Sequence, residues 1–315
     1  MIRILAALLL FAVPVLAQTK PIQTGDLATR GLSEKDYPQV KELAPGVYSY
    51  EAAGPADPPG LMTTNSLIVV TGEGVLVADG QGNVPAAERM IAEIRKLTPQ
   101  PVKYLVVCSD HGDHTGGNAA FKAAFPEVAV ISSPVSKKAL EKSAVVPTET
   151  VTGKRVIALG GMRMEILDIG RAHTGGDLVV HIPAAKVLFM SEIYFHRLFP
   201  AMRAAYPSEW EASIRKAQGL NAAWYVPGHG FVDDAPTLKV ELEEARKAIV
   251  RAIAEGKRLH ALGLACPPRV RGQPAPACPA NDRADWGPYA EWTLHGTEPP
   301  IALSRVFQEI EGKLP

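Results

Sequence analysis

Neither sign of charge prevails in this chain. Lysine plus arginine number 33, aspartate plus glutamate also 33, and no run of like charge interrupts the balance. With no basic excess, the overall charge gives no support for a nucleic-acid partner and none for an electrostatic membrane contact. Cysteine is scarce, with three in 315 residues, so a dense disulfide framework is excluded as the basis of the fold. Long apolar runs are missing too, apart from Ile4 to Leu16, which is too short to span a bilayer comfortably. After Met1-Ile-Arg3, and with small residues around Ala17, that run reads as a secretory signal cut ahead of Gln18. The expected product is a periplasmic or secreted protein with no stable membrane span. Cys266 and Cys278 flank a proline-rich loop and can form a disulfide in such a compartment. Cys108 ends an apolar run and reads as a buried thiol.

The chain is long enough to bury a large core, in one large domain or two smaller ones. Residues 18–37 are polar and read as a loose arm. Residues 65–70 and 74–79 read as a hairpin, and Asp79-Gly-Gln-Gly-Asn83 as a turn. A helix is expected over Val84 to Leu97, with Met90, Ile91, Ile94 and Leu97 on one face. Strand 103–108, a short helix near 117–124 and strand 128–132 follow, then a second strand-rich stretch over 155–190, a helix near 208–218 and strand 223–226. Two such halves suggest two packed sheets with helices outside. Beyond Gly230 the chain turns helical: Asp234 reads as an N-cap before a helix of about 236–262, on which Glu243 and Lys247 can pair.

Only eight histidines occur, so their placement is informative. Ser109-Asp110-His111-Gly112-Asp113-His114-Thr115-Gly116-Gly117 follows the apolar run Tyr104 to Cys108. His111, Asp113 and His114 lie within four positions, and imidazole with carboxylate at that spacing suits zinc or a similar divalent ion. His173 sits in the glycine-bounded loop 170–176, and His229 between Gly228 and Gly230 after an apolar strand. Glu192 ends the apolar stretch 186–191, where an inner-sphere carboxylate is expected. His181, His260 and His295 read as structural or surface residues.

These segments, in this order, resemble the metallo-β-lactamase superfamily over roughly residues 38–234. The central motif is His-x-His-x-Asp-His, with Ser109 in place of its first histidine. The resemblance implies an α/β (α+β) fold, a four-layer αββα sandwich with metals at one edge between the sheets. The division is then 1–17 signal, 18–37 arm, 38–234 core domain and 235–315 helical extension. It also implies two metal sites. His111 and His173 are what remains of the first, which lacks the third imidazole, and Asp113, His114 and His229 make the second. Glu192 stands for the family's bridging aspartate and is one methylene longer. Hydroxyl is a poorer zinc ligand than imidazole, so the second site is expected to be the firmer. Asp113 is the catalytic candidate.

The implied activity is hydrolysis of an ester, thioester, amide or lactam in a small-molecule substrate by metal-activated water. A β-lactam is one such bond and is not singled out. Two other readings accompany it. His111, His173 and Glu192 form a two-histidine, one-carboxylate set of the kind used by non-haem iron oxygenases, and some superfamily members are iron-dependent sulfur dioxygenases. A weakly active relative that binds rather than hydrolyses is the other. Tyr194, His196 and Arg203 are candidate pocket residues, with Tyr206 and Trp210 nearby. The sequence carries nothing that sets an oligomeric state.

Overall fold

The computed structural model describes residues 24–56, 60–268 and 276–315. The signal segment, the start of the arm and most of the proline-rich loop lie outside the described residues.

The first half of the fold carries strands β1 (Gln39–Ala44), β2 (Val47–Pro55), β3 (Leu61–Thr71), β4 (Gly74–Ala78), β5 (Val102–Val106), β6 (Ala129–Ser132) and β7 (Glu149–Thr150). Helices α1 (Val84–Leu97), α2 (Gly112–Thr115), α3 (Asn118–Ala124) and α4 (Pro134–Ala139) are interspersed. The second half has β8 (Lys154–Leu159), β9 (Met162–Leu167), β10 (Val179–Ile182), β11 (Val187–Phe195) and β12 (Trp224–His229), with α5 (Pro207–Gly219) between the last two. Then come α6 (Ala235–Ala261) and α7 (Pro299–Ile310). The strand order is β7-β6-β5-β4-β3-β12-β11-β10-β9-β8, with β2 and then β1 also branching from β3. The two expected sheets are thus halves of one curled sheet, joined through a single residue pair between β3 and β12, Thr64 with His229.

Alternation along the strands builds the layers. Leu67, Val69, Leu76, Ala78, Val106 and Cys108 point between the halves, into a core that they share with β9, β10 and β11. Their neighbours Ile68, Val75, Val77, Leu105 and Val107 point outward and are covered by α1 and α3. α5, α6 and α7 cover the outer face of the second half. α1 begins where expected: the Asn83 side chain accepts from the Ala86 amide at 2.9 Å, and Met90, Ile91 and Ile94 are buried. Leu97 is exposed instead, in the last turn, which the Thr98 amide closes on the Ile94 carbonyl at 3.0 Å.

Two differences from the sequence reading have identifiable causes. The arm is anchored over its described part: Leu27 is buried, Gly25 donates to the Arg197 carbonyl at 3.0 Å, and Arg30 forms a two-pronged pair with Asp233. The Asp234 side chain caps α6 as expected, accepting from the Thr237 amide at 2.8 Å, but Glu243 and Lys247 do not pair. Glu243 turns toward α5, where Gln218 donates to it, and takes Arg246 at 2.6 Å, leaving Lys247 to Glu244 at 2.8 Å. The helical extension packs onto the second half. Leu238, Leu242, Trp286, Trp292, Leu303 and Phe307 join the same core as the second half. Cys266 and Cys278 are joined by a disulfide, their Cα atoms 4.2 Å apart.

Candidate metal centre

The centre forms along the seam between the halves. β5 ends at Val106, and the chain then bends so that His111 caps the one-turn helix α2 and His114 falls within it. The glycines of the motif follow from packing: a Cβ on Gly116 would come 2.2 Å from the Gly82 carbonyl oxygen, and one on Gly117 would come 2.2 Å from that of Gly80. Only bare backbone lets this loop lie on the turn after β4.

Two groups of side chains converge. In the first, His111 Nδ1 lies 2.7 Å and His173 Nε2 3.0 Å from Glu192 Oε2, and the two imidazole nitrogens are 3.2 Å apart. In the second, His114 Nε2 and His229 Nε2 are 3.1 Å apart, and Asp113 Oδ2 is 3.2 Å from His229 Nε2. Glu192 belongs to both. Its Oε1 is 3.2 Å from His229 Nε2 and 3.5 Å from His114 Nε2. The longer carboxylate therefore does not lean toward the first group alone; it presents one oxygen to each. Ser109, fully buried where a third imidazole is missing, donates to Glu192 Oε2 at 2.9 Å.

The hydrogen bonds around the cluster decide which nitrogens are free. A carboxylate and a carbonyl only accept. His114 Nδ1 must therefore donate to Asp79 (2.9 Å), and His229 Nδ1 to the Thr63 carbonyl (3.0 Å). Both Nε2 atoms then carry lone pairs, aimed at one another and at a carboxylate inside the protein. Such an arrangement repels itself unless a cation or protons sit in it. Ligand atoms within 4.8 Å of one another in each group fit a divalent cation, and the nitrogen and oxygen donors suit the borderline and harder metals. Without one, protons fill the role. Burial alone would lower the His111 and His229 imidazoles, but Glu192 at the first and Asp113 with Glu192 at the second outweigh it and bring both to about 9. Burial likewise opposes ionisation of Glu192, yet His173 and His111 hold it well below the usual carboxylate range. Metal uptake must displace those protons.

Of the sequence candidates, the structure brings His111, Asp113, His114, His173, Glu192 and His229 together. It does not bring Tyr194 or His196 to them. Tyr194 is fully buried and donates to the Leu238 carbonyl, and His196 Nδ1 donates to the Phe231 carbonyl at 2.6 Å. The cause is an irregularity in β11: Ser191 has φ +46° and the register with β12 shifts on either side of it. Phe195 is turned inward in their place, its ring 5.1 Å from that of His173 and 5.5 Å from that of His229. Arg203 extends into solvent and pairs with Glu298 at 3.3 Å. Trp210 does reach the centre, with its ring 5.2 Å from that of His173.

Asp79 was legible only as a turn residue. It is fully buried and takes three donors: His114, the Cys108 amide at 2.8 Å and the Ser191 hydroxyl at 2.5 Å. An acid closing an all-apolar strand was the available signal, the same one that singled out Glu192. Asp79→Asn is expected to weaken the second group's metal affinity by about 10- to 100-fold, read by chelator competition. Ser109→His is expected to raise bound metal toward two per chain in elemental analysis. Unchanged stoichiometry would show that Glu192 already completes the first group.

The model of the metallo-beta-lactamase superfamily matches residues 59–229, more than half of the chain. The chain belongs to that superfamily, and at family level it is a metal-dependent hydrolase that binds divalent metal. It is 24% identical over 179 residues to the type 2 metallo-beta-lactamase of Bacillus cereus, covering 54% of this chain and 68% of the relative. It is 25% identical over 228 residues to the hydroxyacylglutathione hydrolase of Mesorhizobium japonicum, covering 70% and 82%. In three dimensions it resembles the metallo-beta-lactamase from Pontibacter korlensis, with TM-score 0.61 and 24% identity over 68% of this chain and 99% of that one. The last likeness concerns the fold.

Proposed function

We propose that the protein is an exported zinc-dependent hydrolase that cleaves an ester, thioester, amide or lactam bond in a small-molecule substrate. One observation carries this reading. The cluster is enclosed on every side but one, where the side chains of His111 and Asp113 are 34% and 45% exposed while those of His114, His173, Glu192 and His229 are buried. A structural site is closed, and a catalytic one keeps an accessible edge. A divalent cation held by Asp113, His114, Glu192 and His229 supplies bond polarisation and water acidified toward neutral pH. The protein's own part falls to Asp113 at the open edge. Its carboxylate, on the solvent side of the cluster and 3.2 Å from His229 Nε2, is ionised at neutral pH, so it can orient the attacking water by accepting its hydrogen bond and pass a proton on to the leaving group. The apolar wall of Phe195 and Trp210 keeps bulk water from the other side.

Zinc is supported by the histidine–carboxylate donor set with no thiolate in it. Export is supported by the apolar N-terminal run and by a disulfide of the kind kept in oxidising compartments. The two relatives named above act, by their names, on β-lactams and on a hydroxyacylglutathione. Iron is the second reading, favoured by the separate group of His111, His173 and Glu192. Metal analysis of protein purified without added metal separates them. Zinc is expected, with hydrolysis in a panel of the four bond types lost on chelation and restored by zinc. Iron at full occupancy with no zinc overturns the reading.

A further inference from the structure

The helical extension has no residue in the metal centre, yet it holds an arginine in an unusual setting. Arg305 of α7 is only 8% exposed, and among the described residues no carboxylate lies within ion-pair distance of it. Its guanidinium donates instead to backbone carbonyls: Nε to Ala205 at 2.5 Å and Nη2 to Ala204 at 3.2 Å, with Nη1 on Gln308. Burying a cation among neutral acceptors costs free energy, so stability alone is a poor account of it. What it grips is more informative. Ala204 and Ala205 lie in the irregular segment just ahead of α5, and α7 grips the start of α5 as well, where Glu309 accepts from the Ser208 amide and hydroxyl at 3.0 and 2.8 Å.

That segment leads straight to the first metal group. The Tyr206 amide donates to the Ala172 carbonyl at 2.8 Å, one residue before His173. The Tyr206 ring lies against Gly175 in the same loop, with the Arg171 guanidinium stacked on it at 3.8 Å. One turn on, Trp210 sets its ring beside His173, while its Nε1 donates to the Ile193 carbonyl, next to Glu192, at 2.9 Å. The second group shares Glu192 with the first and the Phe195 ring lies against His229, but its two histidines are anchored elsewhere, His114 by Asp79 and His229 by the Thr63 carbonyl, both in the first half of the fold.

We infer that Arg305 is a positioning residue for the metal group of His111, His173 and Glu192, acting through the 204–210 segment, and that the helical extension serves as a brace for one half of the metal centre. This rests on the two-group reading of that centre. The test is cobalt(II) titration of the full chain, followed by visible absorption and calorimetry. In Arg305→Met, one metal equivalent is expected to bind about tenfold more weakly while the other stays within twofold, and Arg305→Lys, which keeps a donor, should recover part of the loss. Tyr206→Ala breaks the same path from the other end and should give the same selective loss; it decides the matter if Arg305→Met does not fold. Tyr206→Phe, which keeps the backbone amide and the ring and loses the hydroxyl that bonds the Pro315 carbonyl and Arg171, should titrate as wild type. Both equivalents unchanged in Arg305→Met and Tyr206→Ala, or both weakened alike, would overturn the inference even if the melting temperature fell. A wild type that binds one equivalent would instead count against the two-group reading. The comparison is then made in the Ser109→His chain, where loss or retention of the added equivalent decides it.

Discussion

Asp113→Asn is expected to lower kcat by about three orders of magnitude, the equivalent of ~4 kcal/mol of transition-state stabilisation. The amide is nearly isosteric, so the loop that bears it, fixed by the bare backbone of Gly116 and Gly117, should keep its shape. What disappears is the anionic oxygen 3.2 Å from His229 Nε2 and with it the one carboxylate on the solvent side of the cluster. Glu192 cannot replace it, because it is enclosed by histidines and by Ser109. KM should change far less than kcat, since the residue acts on a proton rather than on substrate binding. The measurement is steady-state kinetics on whichever substrate the bond-type panel yields. Equal background activity in wild type and variant would favour a binding relative over a hydrolase.

Glu192→Gln is expected to empty the centre. The carboxylate presents one oxygen to each metal group, so a single neutralisation removes an anionic ligand from both. Bound metal should fall below one per chain, with hydrolysis reduced at least as far as in Asp113→Asn. Elemental analysis after exhaustive dialysis reads the first effect. A second follows from the imidazoles. Glu192 heads the influences that raise His111, so in the metal-free variant that ring should titrate at lower pH, toward the ordinary histidine range. Full metal content in the variant would show that the histidines suffice and that Glu192 only orients them. The contrast between the two variants is itself informative: Asp113→Asn removes an anionic ligand from the second group alone and should retain more metal than Glu192→Gln, which removes one from both.

The ligands were legible because metal chemistry restricts residue type so severely. Few side chains can serve, histidine is rare here, and strand ends followed by glycine are where such residues can converge. The layers were legible from two successive strand-rich halves with helices and from the resemblance, the start of α1 from the turn that ends at Asn83, and that of α6 from Asp234 as its cap. What escaped depended on the path of the backbone. The bulge at Ser191 exchanges Phe195 for Tyr194 at the centre, and nothing in the string Ser191 to Phe195 announces a left-handed residue there. Asp79 escaped because a buried acid with three donors and a turn aspartate look alike in one dimension. The anchoring of the arm escaped because its partners, Arg197 and Asp233, lie far away in sequence.

The narrow join between the halves gives the centre a mechanical role as well. Thr64 and His229 form the one strand pair that links β3 to β12, and His229 is itself a ligand. His111, Asp113 and His114 come from one side of that join, and His173, Glu192 and His229 from the other. A cation bound there would be a reversible cross-link closing a loop of more than a hundred residues between His111 and His229, added to the core that the halves share, so the ion that serves the chemistry would also work as a rivet.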